Sequence, residues 1–248
     1  MRTPRRNTVF AIFVAGATLT TACAVVANAG AARPTRTLSF EDARLKIEYN
    51  ATDGDAGLQI FADTEEPWRE IRVTNPAGEP LAHFEADAVI EDFGLTELFS
   101  ESSEPPFTEF PFEEFKHLFP EGTYTFTGVT IDGARLQGSF ALTHDVPDGP
   151  HITAPSEGET LSEDELVVTW NPVTTPRGVD VVAYEVIVVD DAGAPSGGER
   201  TLDVTLPATA SRFPVPGEFL VRGTYKVEVL AIDDNGNQTL NQVAFRVR

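Results

Sequence analysis

The side chains in this 248-residue chain that could do chemistry are mostly carboxylates: 39 Asp and Glu stand against 18 Lys and Arg, with four His and a single Cys. One group is concentrated enough to suggest a ligand. Asn50, Asp53 and Asp55, with Gly54 and Gly57, form an acidic loop of hard oxygen donors of the kind Ca²⁺ prefers. The loop lacks the remaining spacing and the terminal Glu of a 12-residue calcium loop, and Asp and Gly equally suit a plain turn. Asp233 to Asn237 poses the same choice.

Other chemistries find less support. The histidines, His83, His117, His144 and His151, are far apart and lack metal-ligand spacing. There is no Gly-x-Ser-x-Gly elbow, no Gly-rich phosphate loop and no His-Glu-x-x-His. In so acidic a chain, pairs such as Glu65-Glu66 and Glu113-Glu114 read as solvated faces. Glycoside hydrolysis needs two carboxylates about 5 to 10 Å apart in a cleft. Only Trp68 lies outside the second half of the chain as an indole platform. The sequence therefore reads as a non-enzyme, the alternative being a sugar-binding accessory domain or a cell-surface hydrolase.

The second candidate surface is apolar. Phe99, Phe107, Phe110, Phe112, Phe115 and Phe119 are interleaved with Glu97, Glu101, Glu104, Glu109, Glu113 and Glu114. Either these rings plug a sandwich while the acids face water, or Phe107, Phe110 and Phe112 form a docking surface with an acidic rim for a basic protein or apolar ligand. Phe offers a sugar no polar handle.

Arg2, Arg5 and Arg6, the uncharged run Val9 to Ala24, and Ala27-Asn28-Ala29 have the form of a signal peptide over residues 1–29. The run is short and threonine-diluted for a membrane span, so no transmembrane segment is expected after cleavage. Arg5-Arg6 partly matches a twin-arginine signal, and Leu19 to Cys23 an imperfect lipobox that would anchor the chain through Cys23. The expected location is secreted, periplasmic or cell-surface. Cys23 is the only cysteine, so a chain cut after Ala29 has no disulfide and stands on its hydrophobic cores. Removing three arginines from 18 basic residues leaves 15 against 39 acids, a charge of −24. That charge disfavours nucleic acid and anionic membranes. The expected partner is a protein or cell-surface ligand; the oligomeric state stays open.

What must position these residues is legible from a repeat. Gly122-Thr123-Tyr124 ends in Ile131-Asp132, and 101 positions on Gly223-Thr224-Tyr225 ends in Ile232-Asp233. Each copy alternates as a half-buried strand does, because residues i, i+2 and i+4 share one sheet face. A strand repeated at domain spacing implies an all-β chain of two tandem immunoglobulin-like or fibronectin type III-like sandwiches, at 38–146 and 147–248, after a linker at 30–37. In the first domain, strands are expected at Leu45–Tyr49, Leu58–Phe61, Ile71–Val73, Leu81–Val89, Tyr124–Ile131 and Leu136–Thr143, with turns at Asp53-Gly54-Asp55 and Asn75 to Gly78. Residues 93–120 break the alternation. Phe112, Phe115 and Phe119 predict a helix over Pro111 to Leu118, with an earlier helical turn around Thr96 to Ser100. His144 to Pro155, rich in proline, is a short stiff connection.

The second domain is cleaner, with strands at 166–170, 181–189, 200–205, 211–215, 225–232 and 242–247. Trp170 with Pro172 after it, Tyr184, and Tyr225 to Ala231 make Pro150 to Arg248 resemble a fibronectin type III domain, as found in exported bacterial proteins. The resemblance implies a core role for Trp170 and a corner bond to backbone for Tyr225. Arg177-Gly178-Val179-Asp180 does not reproduce the integrin-binding Arg-Gly-Asp of some animal members. The expected function is a non-enzymatic exported binding or adhesion module.

Overall fold

The computed structural model describes residues 36–162, 166–190 and 200–248. The signal-peptide reading and Cys23 fall outside them. Strands dominate, with one α-helix and one 3-10 turn among the described residues.

The second sandwich follows from its alternation. In β11 (Val181–Asp190) Tyr184, Val186, Val188 and Asp190 are buried, and in β14 (Gly223–Asp233) Tyr225, Val227, Val229 and Ala231 are. These inward rows face β10 (Val167–Trp170), which lies between β8 (Ile152–Ala154) and β13 (Arg212–Pro214). The opposing sheet runs β12 (Thr201–Pro207), β11, β14, β15 (Gln238–Val247). A further short strand, β9 (Thr160–Leu161), runs parallel to the end of β15. Three strands packed on four in this order is the fibronectin type III arrangement expected for the segment. Trp170 meets Tyr184 in the core, ring centroids 5.4 Å apart. The Tyr225 hydroxyl accepts from Val221 N at 2.8 Å and donates to Val221 O at 2.9 Å. That is the corner the resemblance implied.

The first sandwich shares the corner, since the Tyr124 hydroxyl donates to Pro120 O at 2.9 Å. The repeated Gly-Thr-Tyr is thus one structural device used twice. Its strands are β1 (Thr37–Ser39), β2 (Asp42–Asn50), β3 (Asp55–Thr74), β4 (Pro80–Glu85), β5 (Leu95–Glu101), β6 (Gly122–Thr130) and β7 (Arg135–Leu142). Two expected strands, at Leu58–Phe61 and Ile71–Val73, are one continuous β3. Its first half pairs with β2 and β5, and after Trp68 it pairs with β4 and β6. The β5 register breaks between Asp63 and Trp68, where Pro67 has no N–H to donate. β3 therefore changes partners there, and its two halves close over Leu45, Ile47, Leu58, Ile71, Val73, Tyr124 and Phe126.

The helix α1 (Phe112–Leu118) stands where the Phe spacing put it, with Phe115 buried. The helical turn expected around Thr96 to Ser100 is instead β5; a 3-10 turn lies earlier, over Ala88–Asp92, in place of the last residues expected of the Leu81–Val89 strand. Leu98 on β5 packs against the core while Phe99 faces out, so a two-residue period prevails over the helical one.

The sandwiches are hydrogen-bonded to each other. Gln238, Thr239 and Leu240 of β15 pair in parallel with Glu48, Tyr49 and Asn50 of β2, which joins both sandwiches in one 12-stranded sheet. The turn before β15 clasps this seam. Asn237 Oδ1 accepts from Ile47 N at 2.8 Å, and its Nδ2 donates to Thr143 O and Asp145 O at 3.0 and 2.7 Å. Asn235 Nδ2 donates to Thr143 Oγ1 and Asp145 O, both at 2.9 Å. The connection is thus held through its main-chain acceptors at Thr143 and Asp145.

Candidate functional site

Residues paired directly across strands share a face. On the side of the sheet away from both cores, this rule aligns Glu101 (β5), Gln59 (β3) and Lys46 (β2), and one step along, Gly57 (β3), Glu48 (β2) and Gln238 (β15). Beyond the seam the face continues through Leu230 and Glu228 of β14, Glu185 and Ile187 of β11, and Asp203 of β12. Gln59 is only 6% exposed, Gln238 2% and Leu230 1%, whereas Glu101 and Arg44 are exposed. The face dips toward the seam.

Acidic groups collect in that dip. Carboxylate oxygens of Glu48, Glu101 and Glu104 lie within 4.8 Å of one another. Glu104 reaches it because the chain after β5 stays paired, with Ser102 N donating to Leu58 O at 2.9 Å, and Gly57 leaves space for the Glu104 side chain. A Cβ on Gly57 would come 2.5 Å from Glu104 Oε1. Gln59 Nε2 donates to Glu48 Oε2 at 3.1 Å and to Glu101 Oε1 at 2.6 Å, and Gln238 Nε2 donates to Glu48 as well. Gln59 Oε1, Glu104 Oε1 and Asp55 Oδ1 are buried without a hydrogen-bond partner.

The electrostatics follow from crowding like charges in a desolvated place. Burial, reinforced by Glu101, Glu48 and Asp55, raises the Glu104 carboxyl to about 7. Burial also raises Glu48 and Glu228. Glu185 is raised to about 7 by burial and by its hydrogen bond with Asp203. Burial lowers Lys46, the ammonium group among them, against the opposing pull of Glu185 and Glu48; its Nζ donates to Gln238 Oε1 at 2.9 Å.

The three residues of the predicted Ca²⁺ loop are placed differently from one another. Asn50 Oδ1 accepts from Thr52 N and Asp53 N, both at 3.0 Å, and Asn50 Nδ2 donates to Asp53 Oδ2, which makes a side-chain turn. Asp53 Oδ2 also accepts from Gln242 Nε2 of the second sandwich at 3.1 Å. Asp55 opens β3 two residues before Gly57, raised by burial and by Asp53. Glu48, Gln59, Glu101 and Glu104 were not singled out as a set from sequence. They come from three strands and a loop, and only cross-strand register brings them together.

Phe107, Phe110 and Phe112 are half-buried and pack on the first core. Tyr49 touches the Phe107 and Phe112 rings, each with centroids 5.1 Å away, and Phe112 stacks on Phe115 at 5.6 Å. A shallow cavity lined by Phe110, Phe115, Leu118 and Phe119 remains beside them. Phe99 lies apart, 60% exposed on the open sheet face, paired with Phe61 at 5.1 Å. Arg44 and Lys46 lie over the Phe61 ring at 4.6 and 5.0 Å. Trp68 is 1% exposed in the first core, which removes it as a sugar platform.

No family model matches the chain, and no curated protein does. Among solved structures, chicken CNTN1 FN1–FN3 domains align at 11% identity over 85% of this chain and 65% of that one, with a TM-score of 0.30. A tetra-tandem repeat from the extending region of a large adhesion protein aligns at 16% identity over 84% of this chain and 50% of that one, with a TM-score of 0.29. The chain thus spans less than two thirds of either structure. The strand order, three strands packed on four in the second sandwich, defines the fold. Among the described residues no helix is long and apolar enough to cross a membrane.

Proposed function

We propose that the protein is an exported, non-enzymatic binding or adhesion module that presents a protein or cell-surface ligand with one sheet face spanning both sandwiches. The observation that carries this reading is the parallel β2–β15 seam, which makes the two faces continuous. A surface held by main-chain bonds is ordered before contact, so little conformational entropy is lost on binding. On that surface the Phe61–Phe99 pair with Arg44 supplies the aromatic and arginine character enriched at protein contacts, and the acids around it supply a polar rim. The charge pattern favours a partner with basic groups. Export is supported by the N-terminal basic and apolar segments and by the acidic balance; acylation at Cys23 is the anchored form of the same reading.

The test is binding of the purified protein to arrayed extracellular proteins and glycans, run beside a panel of hydrolase substrates. Saturable binding to a protein or cell surface, weakened at least tenfold by Phe99→Asp, is the expected result. Turnover of any substrate, or binding to glycans alone, would replace this reading with the hydrolase or sugar-binding one.

A further inference from the structure

A strand at the border of a sheet leaves every second N–H and C=O without a ladder partner, and β5 is such a strand. Among the described residues it pairs with β3 alone. Which of its groups stay free follows from one bond. Ser102 N donates to Leu58 O at 2.9 Å, and these two residues continue the Gln59–Glu101 register by one step. Antiparallel partners alternate between hydrogen-bonded and non-bonded pairs, so Ser100 and Leu98 also turn their main chain toward β3. Thr96 keeps the same phase, since its O accepts from Thr64 Oγ1 at 3.4 Å. Glu97, Phe99 and Glu101 therefore direct their N–H and C=O outward. We propose that this edge takes an added strand from a basic partner, an extended segment with Lys or Arg opposite Glu97 and Glu101 and an apolar residue opposite Phe99.

The inference rests on the binding role proposed above and gives it a mode, in which main-chain bonds supply affinity and alternate side chains supply selectivity. Glu97, Phe99 and Glu101 share one sheet face and all three are exposed. An added strand sets its own alternate side chains directly beside them, where opposite charges attract and like charges repel. Among the described residues neither glutamate is in an ion pair, so both have charge to offer. Phe99 already packs on Phe61, which carries Arg44 above it, and an apolar residue of the incoming strand would extend that row. A second copy of this chain is a poor occupant. Antiparallel self-pairing centred on Phe99 would set Glu97 against Glu101 at both ends, and an in-register parallel pair would set each glutamate beside its twin. The same two residues thus keep copies apart and favour a cationic strand.

The test uses the purified protein and a fluorescent, end-capped synthetic peptide, Thr-Lys-Thr-Phe-Thr-Lys-Thr, with binding read by anisotropy. Saturable binding is expected, and the same peptide with Glu in place of Lys should bind at least tenfold more weakly. N-methylation of the peptide's Phe, whose N–H would face β5, should weaken binding at least tenfold, whereas N-methylation of a Thr beside it, whose N–H would face away, should have little effect. The double variant Glu97→Lys with Glu101→Lys, both at exposed positions, should reverse the preference between the two peptides with circular dichroism unchanged. Absence of saturable binding, equal effects of the two methylations, or an unreversed preference would overturn strand addition. Peptide binding indifferent to methylation would mean side-chain contact on the sheet face without an added strand, and the binding role itself stands or falls on the array measurement with the intact protein.

Discussion

Tyr124 and Tyr225 show how one residue type can serve two sandwiches. Both phenol rings are fully buried, and each hydroxyl bonds the backbone four residues upstream. Without that bond the end of the preceding loop would leave polar groups unpaired against a core ring. Burial raises the Tyr124 hydroxyl to about 12, so it remains a donor at any physiological pH. Tyr124→Phe keeps the ring and removes only the hydroxyl, and should cost about 1 kcal/mol in chemical denaturation. Tyr225→Phe should cost more, roughly 2 kcal/mol, because Val221 N and Val221 O lose their partner together and Arg200 loses a third contact. Equal, negligible effects at both sites would show that the corners are geometric coincidences without energetic content.

At the scale of elements, the hairpin turn from Asp233 to Asn237 has two tasks. It reverses the chain between β14 and β15, with Gly236 at φ +89°, a conformation that favours glycine. It also carries Asn235 and Asn237 into the connection at Thr143 and Asp145. Asn237 is 1% exposed and satisfies three backbone groups from two other segments. Asn237→Ala should therefore destabilise by about 3 kcal/mol, since the orphaned Ile47 N–H and the two carbonyls each lose a buried partner. Asn235→Ala, at a more exposed position, should cost less. The two midpoints in urea measure the difference, and the reverse order would mean that the seam is not held through Asn237.

For the whole molecule, the acidic seam makes stability depend on pH. Glu104 and Glu185 titrate near 7 in the folded chain and near their ordinary value, about 4.5, once unfolded. Between these values the native state binds the extra protons, so their contribution is complete below about 4.5 and lost as pH rises through about 7. The exposed carboxyls that are lowered, Glu113 and Asp132, act only below the ordinary carboxylate range and do not oppose this trend. In metal-free buffer the melting temperature should thus be higher at pH 5.5 than at pH 8. General relief of negative charge has the same sign, so Glu185→Gln is the discriminating variant: it should shrink the difference, and an unchanged difference would assign the effect to net charge alone.

The sequence by itself determined the elements and much of their grouping. Alternation in the second half and the Gly-Thr-Tyr repeat specify half-buried strands, because a strand's face is decided by its own two-residue period, while the core role of Trp170 and the corner bond of Tyr225 were what the resemblance to a fibronectin type III domain implied. The Phe112–Phe115–Phe119 spacing likewise specifies α1. Tertiary structure alone decided that β3 runs through two expected strands, because continuity across Pro67 depends on which neighbours pair on either side. It alone decided that Asn235 and Asn237 clasp a distant segment, where the sequence offered a turn or an acidic Ca²⁺-type loop. The carboxylate group was illegible for the same reason. Glu48, Gln59, Glu101 and Glu104 have no common spacing, and they meet because β2, β3 and β5 pair in one register and β15 from the other sandwich pairs along the remaining edge of β2.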